Sequence, residues 1–349
     1  YIWLRHGDFA YNRGNSKRFP QGCVYQLTEL EEAAASNAFY CFRLHDRFEP
    51  AFVLGFFEDN GHGRQLTRHI TSGARGNGLL NISADAFFGI SIPVPPKATE
   101  QRKIAECLRT LDDLIAAESR KLKVLREHKQ GLMQQLFPQP GETCPRLRFP
   151  EFKDAPGWKE KRLGDLGTLV PGLTYSPSDL RDDGLLVLRS SNVQNGEITL
   201  DDCVFVRRDV NGAHLTQPDD ILICVRNGSK SLIGKNAIVP RGMPICTHGA
   251  FMTVFRAAVP HFARALLQTT AYEKQVAADL GATINSINGS QLLKYRFSVP
   301  QAAEQQRIAS CVSSLDDVLA AQSQRVAALK AHKQGLQQQL FPSLERQVQ

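Results

Sequence analysis

The stretch HKQGLMQQLFP at residues 128–138 returns almost unchanged as HKQGLQQQLFP at residues 332–342. The match extends upstream, because residues 100–138 and 304–342 align without gaps and are identical at 22 of 39 positions. An internal repeat of this length indicates a duplicated structural unit. The organisation of the chain can therefore be worked out from this repeat outward.

Both copies carry apolar residues at steps that alternate between four and three positions, which is the heptad spacing of a helix seam. Glu118 and Lys129 interrupt the seam in the first copy, and Gln322 and Lys333 interrupt it at the same places in the second. Neither copy contains Pro before its closing Phe-Pro, so each predicts one long helix. The predicted helix–helix interface consists of Ile104, Leu108, Leu111, Ile115, Leu122, Leu125, Lys129, Leu132, Leu136, Ile308, Val312, Leu315, Leu319, Val326, Leu329, Lys333, Leu336 and Leu340.

The direction of the two helices follows from the lysines in the seam. The copies are natural partners, although each helix could instead pack on its own domain. A parallel pair in register would place Lys129 beside Lys333, where two semi-buried like charges are costly. An antiparallel pair places Lys129 beside Asp316 and Lys333 beside Asp112, so that each ammonium meets a carboxylate. The charges therefore favour an antiparallel pair.

The segments around the repeat predict an α+β protein with two globular domains. The strings GLLVLRSSNV, DDCVFVRR, DDILICV and NAIVP read as short strands, and HFARALLQTTAYEKQVAADL reads as one or two helices. An antiparallel helix pair would give a dumbbell with an approximate two-fold axis. Nothing in the first domain matches residues 157–210, so we expect it to be truncated at its N-terminal side. The predicted boundaries are a first domain at 1–98, helix one at 99–138, a linker at 139–157, a second domain at 158–300, helix two at 301–342 and a tail at 343–349.

Two polar loops are candidates for nucleic-acid contact. GDFAYNRGNSK at residues 7–17 resembles DDILICVRNGSK at residues 219–230, since both run from an acidic residue through an apolar strand into Arg, Gly, Asn, Ser and Lys. Lys, Arg and Ser suit phosphate, while Arg and Asn also read base edges. An ordinary solvated turn is the alternative. The candidate residues are Asn12, Arg13, Asn15, Ser16, Lys17, Arg18, Arg226, Asn227, Ser229, Lys230, Ser231 and Lys235. Arg189 and Asn192 in LRSSN either contact DNA or brace the fold.

Composition is compatible with nucleic-acid binding and gives no sign of catalysis. The chain has 349 residues, a net charge of +7 and eight scattered Cys with no CxxC pair, which suits a reducing cytoplasm. An adenine methyltransferase needs a tetrapeptide of the type [DNS]PP[YFW], and the nearest string is VPPK at 94–97. GSKSLIGKN at 228–236 fails the P-loop pattern. We therefore predict a binding protein with no catalytic residue, no metal site and no cofactor of its own.

Five further strings, together with the duplication, resemble the specificity (S) subunits of type I restriction-modification systems. They are PRLRFPEFKDAPGWKEKRLGDLG, LRSSNVQNGE, DDILICVRNGSKSLIGKNAIV, THGAFMTVFR and VPQAAEQQRIASCVSSLDDVLAAQ. The resemblance implies two target recognition domains, joined by two long antiparallel helices in a coiled coil. Each domain would read one half of a bipartite site in double-stranded DNA.

The same resemblance implies partners that carry the chemistry. The helices would set the spacing between half-sites and dock two copies of the modification subunit, which binds S-adenosylmethionine. A restriction subunit using ATP and Mg would be able to join, and the complex would be cytoplasmic. Two alternatives stay open: a coiled-coil scaffold without DNA readout, and a fused methyltransferase, for which the sequence offers no cofactor loop.

Overall fold

The computed structural model describes residues 1–13, 19–70, 80–139, 141–280 and 285–341. The chain divides into two compact units. Unit 1 comprises Tyr1–Leu122 together with Ala321–Gln349, and unit 2 comprises Lys123–Ala320. Both units contain helices and strands, so the predicted α+β class is confirmed. Among the described residues, no helix combines the length and the apolar character that a membrane span requires.

Unit 1 is built from five short strands, three short helices and parts of the two long helices. Strand β2 pairs antiparallel with β3 and β5, and β1 pairs antiparallel with β4. The elements are β1 (Ile2–Arg5), β2 (Phe9–Asn12), β3 (Cys23–Gln26), β4 (Glu32–Ala35), β5 (Phe39–Phe42), α1 (Pro50–Glu58), α2 (Gly61–Leu66), α3 (Ala84–Phe88) and the long helix α4 (Ala98–Leu136).

Aromatic side chains form the core of unit 1. Helix α1 buries Phe52, Val53, Phe56 and Phe57. They lie on one face, because each of the first two residues is followed four positions later by one of the last two. Tyr11 on β2 stacks on Phe87, with 4.1 Å between the ring centroids. The other residues of this core are mostly Leu, Ile and Phe.

Unit 2 contains the remaining strands and helices. These elements are β6 (Lys159–Arg162), β7 (Gly167–Pro171), β8 (Leu180–Arg181), β9 (Leu185–Leu188), β10 (Val193–Gln194), β11 (Glu197–Ile198), β12 (Phe205–Val206), β13 (Ile221–Cys224), β14 (Asn236–Ile238), β15 (Cys246–His248), β16 (Met252–Ala257), α5 (Pro260–Leu266), α6 (Thr270–Asp279), α7 (Gly289–Leu292), β17 (Arg296–Val299) and the long helix α8 (Ala302–Leu340). The two larger sheets have the strand orders β15-β9-β12-β8 and β14-β13-β16-β7, and β17 pairs with β6 while β10 pairs with β11.

The strands predicted from apolar strings in this unit are present. Strands β9, β12, β13 and β14 fall within the four quoted strings, and the predicted helical string forms both α5 and α6. All four residues of β9 and of β13 are buried. Continuous apolar runs are typical of strands that are covered on both faces, and the structure has this arrangement here.

The two long helices lie close to their predicted bounds. Helix α4 ends at Leu136 and α8 at Leu340, in both cases just before the Phe-Pro pair, because Pro disfavours helical geometry in the residue before it. Each helix is shared between the units: α4 contributes residues 98–122 to unit 1 and 123–136 to unit 2, while α8 contributes 302–320 to unit 2 and 321–340 to unit 1. Each unit therefore contains one segment of each long helix, while the predicted domain boundaries stay a prediction.

Both ion pairs predicted from the helix register are present. In unit 2 the Lys129 Nζ donates to Asp316 Oδ1 at 2.5 Å. In unit 1 the Lys333 Nζ donates to Asp112 Oδ1 at 2.6 Å, and Gln322 Nε2 donates to the Glu118 carboxylate at 2.7 Å. From Asp112 to Glu118 on α4, the bonded residue on α8 changes from Lys333 to Gln322. Residue numbers rise along one helix as they fall along the other, so the helix segments of unit 1 are antiparallel. All predicted interface residues are buried or half-buried.

The repeated Phe at the end of each helix is a core residue. Phe137 lies in the core of unit 2, with ring centroids 5.8 Å from Phe262 and 6.1 Å from Trp158. Phe341 lies in the core of unit 1, with ring centroids 5.2 Å from Phe52 and 6.0 Å from Phe56. The repeated sequence therefore ends in an aromatic anchor in each unit.

Candidate nucleic-acid interface

The loop that follows β13 in unit 2 is held by specific contacts of its own polar residues. Asn227 Nδ2 donates to Ser190 Oγ at 2.9 Å, and Asn227 Oδ1 accepts from the Ser229 backbone N–H at 3.0 Å. Lys235 Nζ donates to the carbonyl oxygens of Ser190 and Val193. These bonds tie the loop of residues 226–235 to the turn after β9. Two segments that the sequence marked as candidates are therefore brought together.

Within that turn, Asn192 makes its hydrogen bonds inside the protein. Its side chain is fully buried, with Oδ1 accepting from the Arg189 N–H and Nδ2 donating to the carbonyls of Thr199 and Asp202. These bonds agree with the alternative in which Asn192 braces the fold, because the buried amide already makes three internal hydrogen bonds, and its contact with DNA stays a prediction. Arg189 is partly exposed, and its Nη2 donates to Asp202 Oδ2 at 2.7 Å.

The side chains of Lys235 and Asn227 also make hydrogen bonds inside the protein. Both are half-buried and bonded internally, so they position the loop more than they extend from it. The exposed members of the predicted set are Arg226, Ser229, Lys230 and Ser231. Gly228 between them has no atom within 4 Å of the place where a Cβ would lie, which leaves room for close approach of a ligand to the backbone.

Two residues that the sequence analysis did not single out belong to the same surface. The Arg226 guanidinium lies 5.6 Å from the centroid of the Phe251 ring, and Phe251 is 55% exposed. Asn285 Nδ2 donates to the Gly228 carbonyl at 3.1 Å, and the Asn285 carbonyl accepts from the Asn227 N–H. In the string THGAFMTVFR, Phe251 looks like part of an apolar strand. Only the fold reveals that it lies before the strand and faces outward.

In unit 1 the described candidates are Asn12 and Arg13. Arg13 is half-buried: it donates from Nε to the Ala38 carbonyl at 3.1 Å and from Nη1 to the Ile82 carbonyl at 3.3 Å, and it stacks over the Tyr40 ring at 4.2 Å. These contacts give Arg13 a bracing role that its predicted DNA contact did not anticipate. Asn12 ends β2 and is half-buried. Asn15, Ser16, Lys17 and Arg18 lie outside the described residues.

The loop surface of unit 2 combines a buried thiol beneath the loop with exposed polar groups. Burial raises the pKa of the Cys224 thiol beneath the loop, so this thiol stays protonated and is a poor nucleophile. Within the described ranges, no cluster of three or more His, Cys, Asp or Glu is arranged to hold a metal ion. The exposed groups are a guanidinium, an ammonium, two hydroxyls and an aromatic ring. Such groups suit phosphates and base edges.

Comparison with known proteins identifies a family whose model matches most of the chain. The family model described as "Type I restriction modification DNA specificity domain" matches residues 24–127 and 156–331. The specificity subunit of the type I restriction enzyme EcoKI from Escherichia coli K12 is 32% identical over 173 residues, which cover 46% of this chain and 36% of the relative. The StySPI specificity subunit from Salmonella potsdam is 31% identical over 169 residues, with the same coverage.

These two matches therefore cover little more than a third of the length of either relative. The crystal structure of a type I restriction-modification S subunit from M. genitalium superposes with a TM-score of 0.60 at 15% identity, covering 98% of this chain and 84% of that one. At this level of identity the likeness concerns the fold.

Proposed function

The chain belongs to the family of type I restriction modification DNA specificity domains, and from this premise we propose that it is the non-catalytic DNA-specificity subunit of a type I restriction-modification complex. Each unit would read one half of a bipartite site in double-stranded DNA. The observation that carries the proposal is the surface of unit 2. Hydrogen bonds of Asn227 and Lys235 fix one loop there, and the same loop exposes Arg226, Ser229, Lys230 and Ser231. Preorganised loops of this kind favour specific recognition.

The partners follow from the same proposal. Two copies of a modification subunit would dock on the long helices and supply S-adenosylmethionine and adenine methylation, and a restriction subunit would add ATP- and Mg-dependent cleavage. This chain itself would bind no cofactor and would work in the cytoplasm. The names of the relatives support this division of labour, since both are specificity subunits of restriction enzymes.

The first experiment maps methylation in cells that express the chain with its modification subunits. We expect N6-methyladenine in one bipartite sequence context. Arg226→Ala and Lys230→Ala should reduce methylation and weaken DNA binding by about ten-fold each, because each removes a cationic contact. Arg208→Ala is the matched control: it removes the same charge from a residue whose side chain is 78% exposed and which pairs only loosely with Asp183. Equal effects of all three variants, or methylation without a common context, would contradict the proposal and favour a scaffold.

Salt dependence gives a second, independent reading of the same surface. Release of counterions makes affinity for DNA fall steeply with salt, with a slope that grows with each neutralised phosphate. We expect the wild-type complex to lose binding by orders of magnitude between about 50 and 200 mM salt. Loss of one phosphate contact in the Lys230→Ala variant should reduce that slope by about one.

We further propose that the helices form an antiparallel coiled coil that sets the distance between half-sites. Support comes from the ion pairs Lys129–Asp316 and Lys333–Asp112, which fix one register in each unit. Removing seven residues from both helices keeps the heptad phase and shortens each by about 10 Å at the rise of an α-helix. The variant complex should then select a site whose gap is shorter by about three base pairs, given the helical rise of DNA. An unchanged gap would exclude the helices as the spacing device.

A further inference from the structure

Phe251 is a feature of the unit 2 surface that phosphate contact does not explain. A large apolar ring that is 55% exposed costs solubility, and isolated exposed Phe residues are usually tolerated without a role. Here, however, the ring lies against the guanidinium of Arg226, whose cationic side chain is the best candidate for reading a base. The question is what this pairing would recognise.

The backbone around Phe251 is held rigidly. The Phe251 carbonyl accepts hydrogen bonds from the N–H groups of both Val225 and Arg226, at 3.0 and 3.1 Å. The Met252 N–H closes the turn onto Gly249, and the Ala250 N–H donates to the Leu173 carbonyl. A Cβ on Gly172 would lie 2.2 Å from the Gly249 carbonyl oxygen, so the turn also packs tightly against the end of β7. The backbone that carries the ring is therefore fixed beside Arg226, and little backbone entropy remains to be lost on binding.

Duplex DNA offers such a ring one apolar target that depends on sequence. In the major groove the base edges carry hydrogen-bond donors and acceptors, and the exception is the C5 methyl group of thymine. An arginine that pairs with guanine holds its neighbours close to the adjoining base pair. An aromatic ring on the flank of that arginine then reaches the methyl group of a thymine beside the guanine.

We propose that Phe251 is a specificity-determining residue of unit 2 whose ring packs against a thymine methyl group next to the base read by Arg226. This inference rests on the proposed function, since it assumes that unit 2 reads DNA. It adds a base contact and names its chemistry. A surface used for a protein partner is the competing explanation of an exposed aromatic residue, and the experiment separates the two.

The experiment selects binding sites from random duplex DNA with the chain assembled on its modification subunits. We expect the Arg226→Ala and Phe251→Ala complexes to relax adjacent positions of one half-site and to leave the other half-site unchanged. The position relaxed by Phe251→Ala should hold thymine. Replacing that thymine by deoxyuridine removes only the methyl group, and it should weaken wild-type binding several-fold while leaving Phe251→Ala unaffected. Phe251→Ala itself should bind the selected site about ten-fold more weakly, a typical loss for an aromatic contact to a base.

Leu180→Ala is the control for the loss of an exposed apolar side chain. Leu180 is 44% exposed and lies on β8, at the opposite edge of its sheet from β15, the strand that precedes Phe251. It should leave affinity and site choice unchanged, and both variants should keep the wild-type thermal midpoint. An unaltered selection profile in Phe251→Ala would overturn the inference while leaving the proposed function intact. Loss of modification-subunit binding would also overturn it, in favour of a protein contact. If the wild-type complex selects no sequence at all, the proposed function itself fails.

Discussion

Each unit contains one lysine–aspartate pair between the two long helices. The additional charged neighbour of this pair is cationic in unit 2 and anionic in unit 1. In unit 2, Asp316 accepts from Lys129 and also from the Arg264 guanidinium at 2.7 Å, so two cations share one carboxylate. In unit 1, Lys333 pairs with Asp112, and the charges of both act on the nearby carboxyl group of Glu58. Burial lowers the pKa of Lys129, and it raises the pKa of Glu58.

The difference shows which contacts the repeat determines and which the globular parts supply. The two ion pairs join residues of the duplicated helices and form as the heptad register predicts, Lys129 with Asp316 and Lys333 with Asp112. The third partner comes from elsewhere, namely from α5 in unit 2 and from α1 in unit 1. Duplicated helices can therefore acquire different electrostatics without any change in their pairing.

The largest effect should be found at the two phenylalanines near the end of the repeat, each of which packs into the core of its unit. Phe137→Ala and Phe341→Ala should each destabilise their own unit by about 4 kcal/mol, because each removes a fully buried aromatic ring and leaves a cavity. Hydrogen exchange followed by mass spectrometry would show the loss of protection unit by unit. A strong loss for one variant and a weak loss for the other would mean that the two anchors are not equivalent.

The carboxylates should respond unequally. Asp316→Asn leaves Lys129 and Arg264 facing each other, with side chains only 14% and 11% exposed, and should cost about 3 kcal/mol of unfolding free energy. Asp112 is 48% exposed and its lysine keeps Glu58 nearby, so Asp112→Asn should cost about 1 kcal/mol or less. Urea denaturation of both variants measures the difference. Equal losses would break the comparison between the two clusters.

Each unit also buries one histidine, and these two should make stability depend on pH. His62 in unit 1 and His248 in unit 2 lie with Nε2 against a backbone carbonyl, of Gly22 and of Val170, and burial lowers the pKa of both. A lowered pKa means that each neutral ring stabilises the fold above the unfolded-state value of about 6.5, and that this contribution is lost as pH falls below it.

Denaturation between pH 7 and 5 tests this expectation. Each histidine should contribute a slope of at most about 1.4 kcal/mol per pH unit, and His62→Gln and His248→Gln should each remove its own share. His128→Gln, at an exposed helix position, is the control and should leave the slope unchanged. If the slope persists in both buried variants, other groups control the acid response.

The smallest effect concerns a glycine that the repeat places in the middle of each helix. Gly131 and Gly335 have no atom within 4 Å of the place where a Cβ would lie. Ala is the better helix former, so Gly131→Ala and Gly335→Ala should each stabilise the protein by up to about 1 kcal/mol. Thermal denaturation of the single and double variants measures the gain. A loss of stability at either site would show that the space is needed.

The predictions that agree with the structure are those that depend on the regular spacing of residues along a helix or a strand. The helix seam, its antiparallel ion pairs and the buried strands of unit 2 followed from apolar spacing and charge, because a helix or strand presents its residues on fixed faces. The segments that precede the two long helices are only partly alike in structure. Both segments form a short helix, α3 and α7, yet only the second continues into a strand, β17, which pairs with β6.

The candidate site was harder to predict, because burial of a polar residue in a turn leaves no trace in the sequence. Asn192 and Ser231 look alike as polar residues after apolar strands, but the first is fully buried and the second is exposed. Phe251 was missed for the opposite reason, because an apolar residue next to a strand is expected to be buried in the core. Only long-range contacts, such as those of Phe251 with Val225 and Arg226, separate these cases.

The anchoring of Phe341 has a consequence for synthesis on the ribosome. Unit 2 is one continuous stretch of chain, whereas the core of unit 1 is completed by a ring that lies 289 positions after Phe52. At about 5–20 residues per second, the interval between these two residues lasts roughly 15–60 seconds. During that time Phe52 and Phe56 lack their aromatic partner, while unit 2 is already able to fold. The nascent chain thus carries an incomplete apolar core until Phe341 has been synthesised, which makes unit 1 more exposed than unit 2 to aggregation and to chaperone binding.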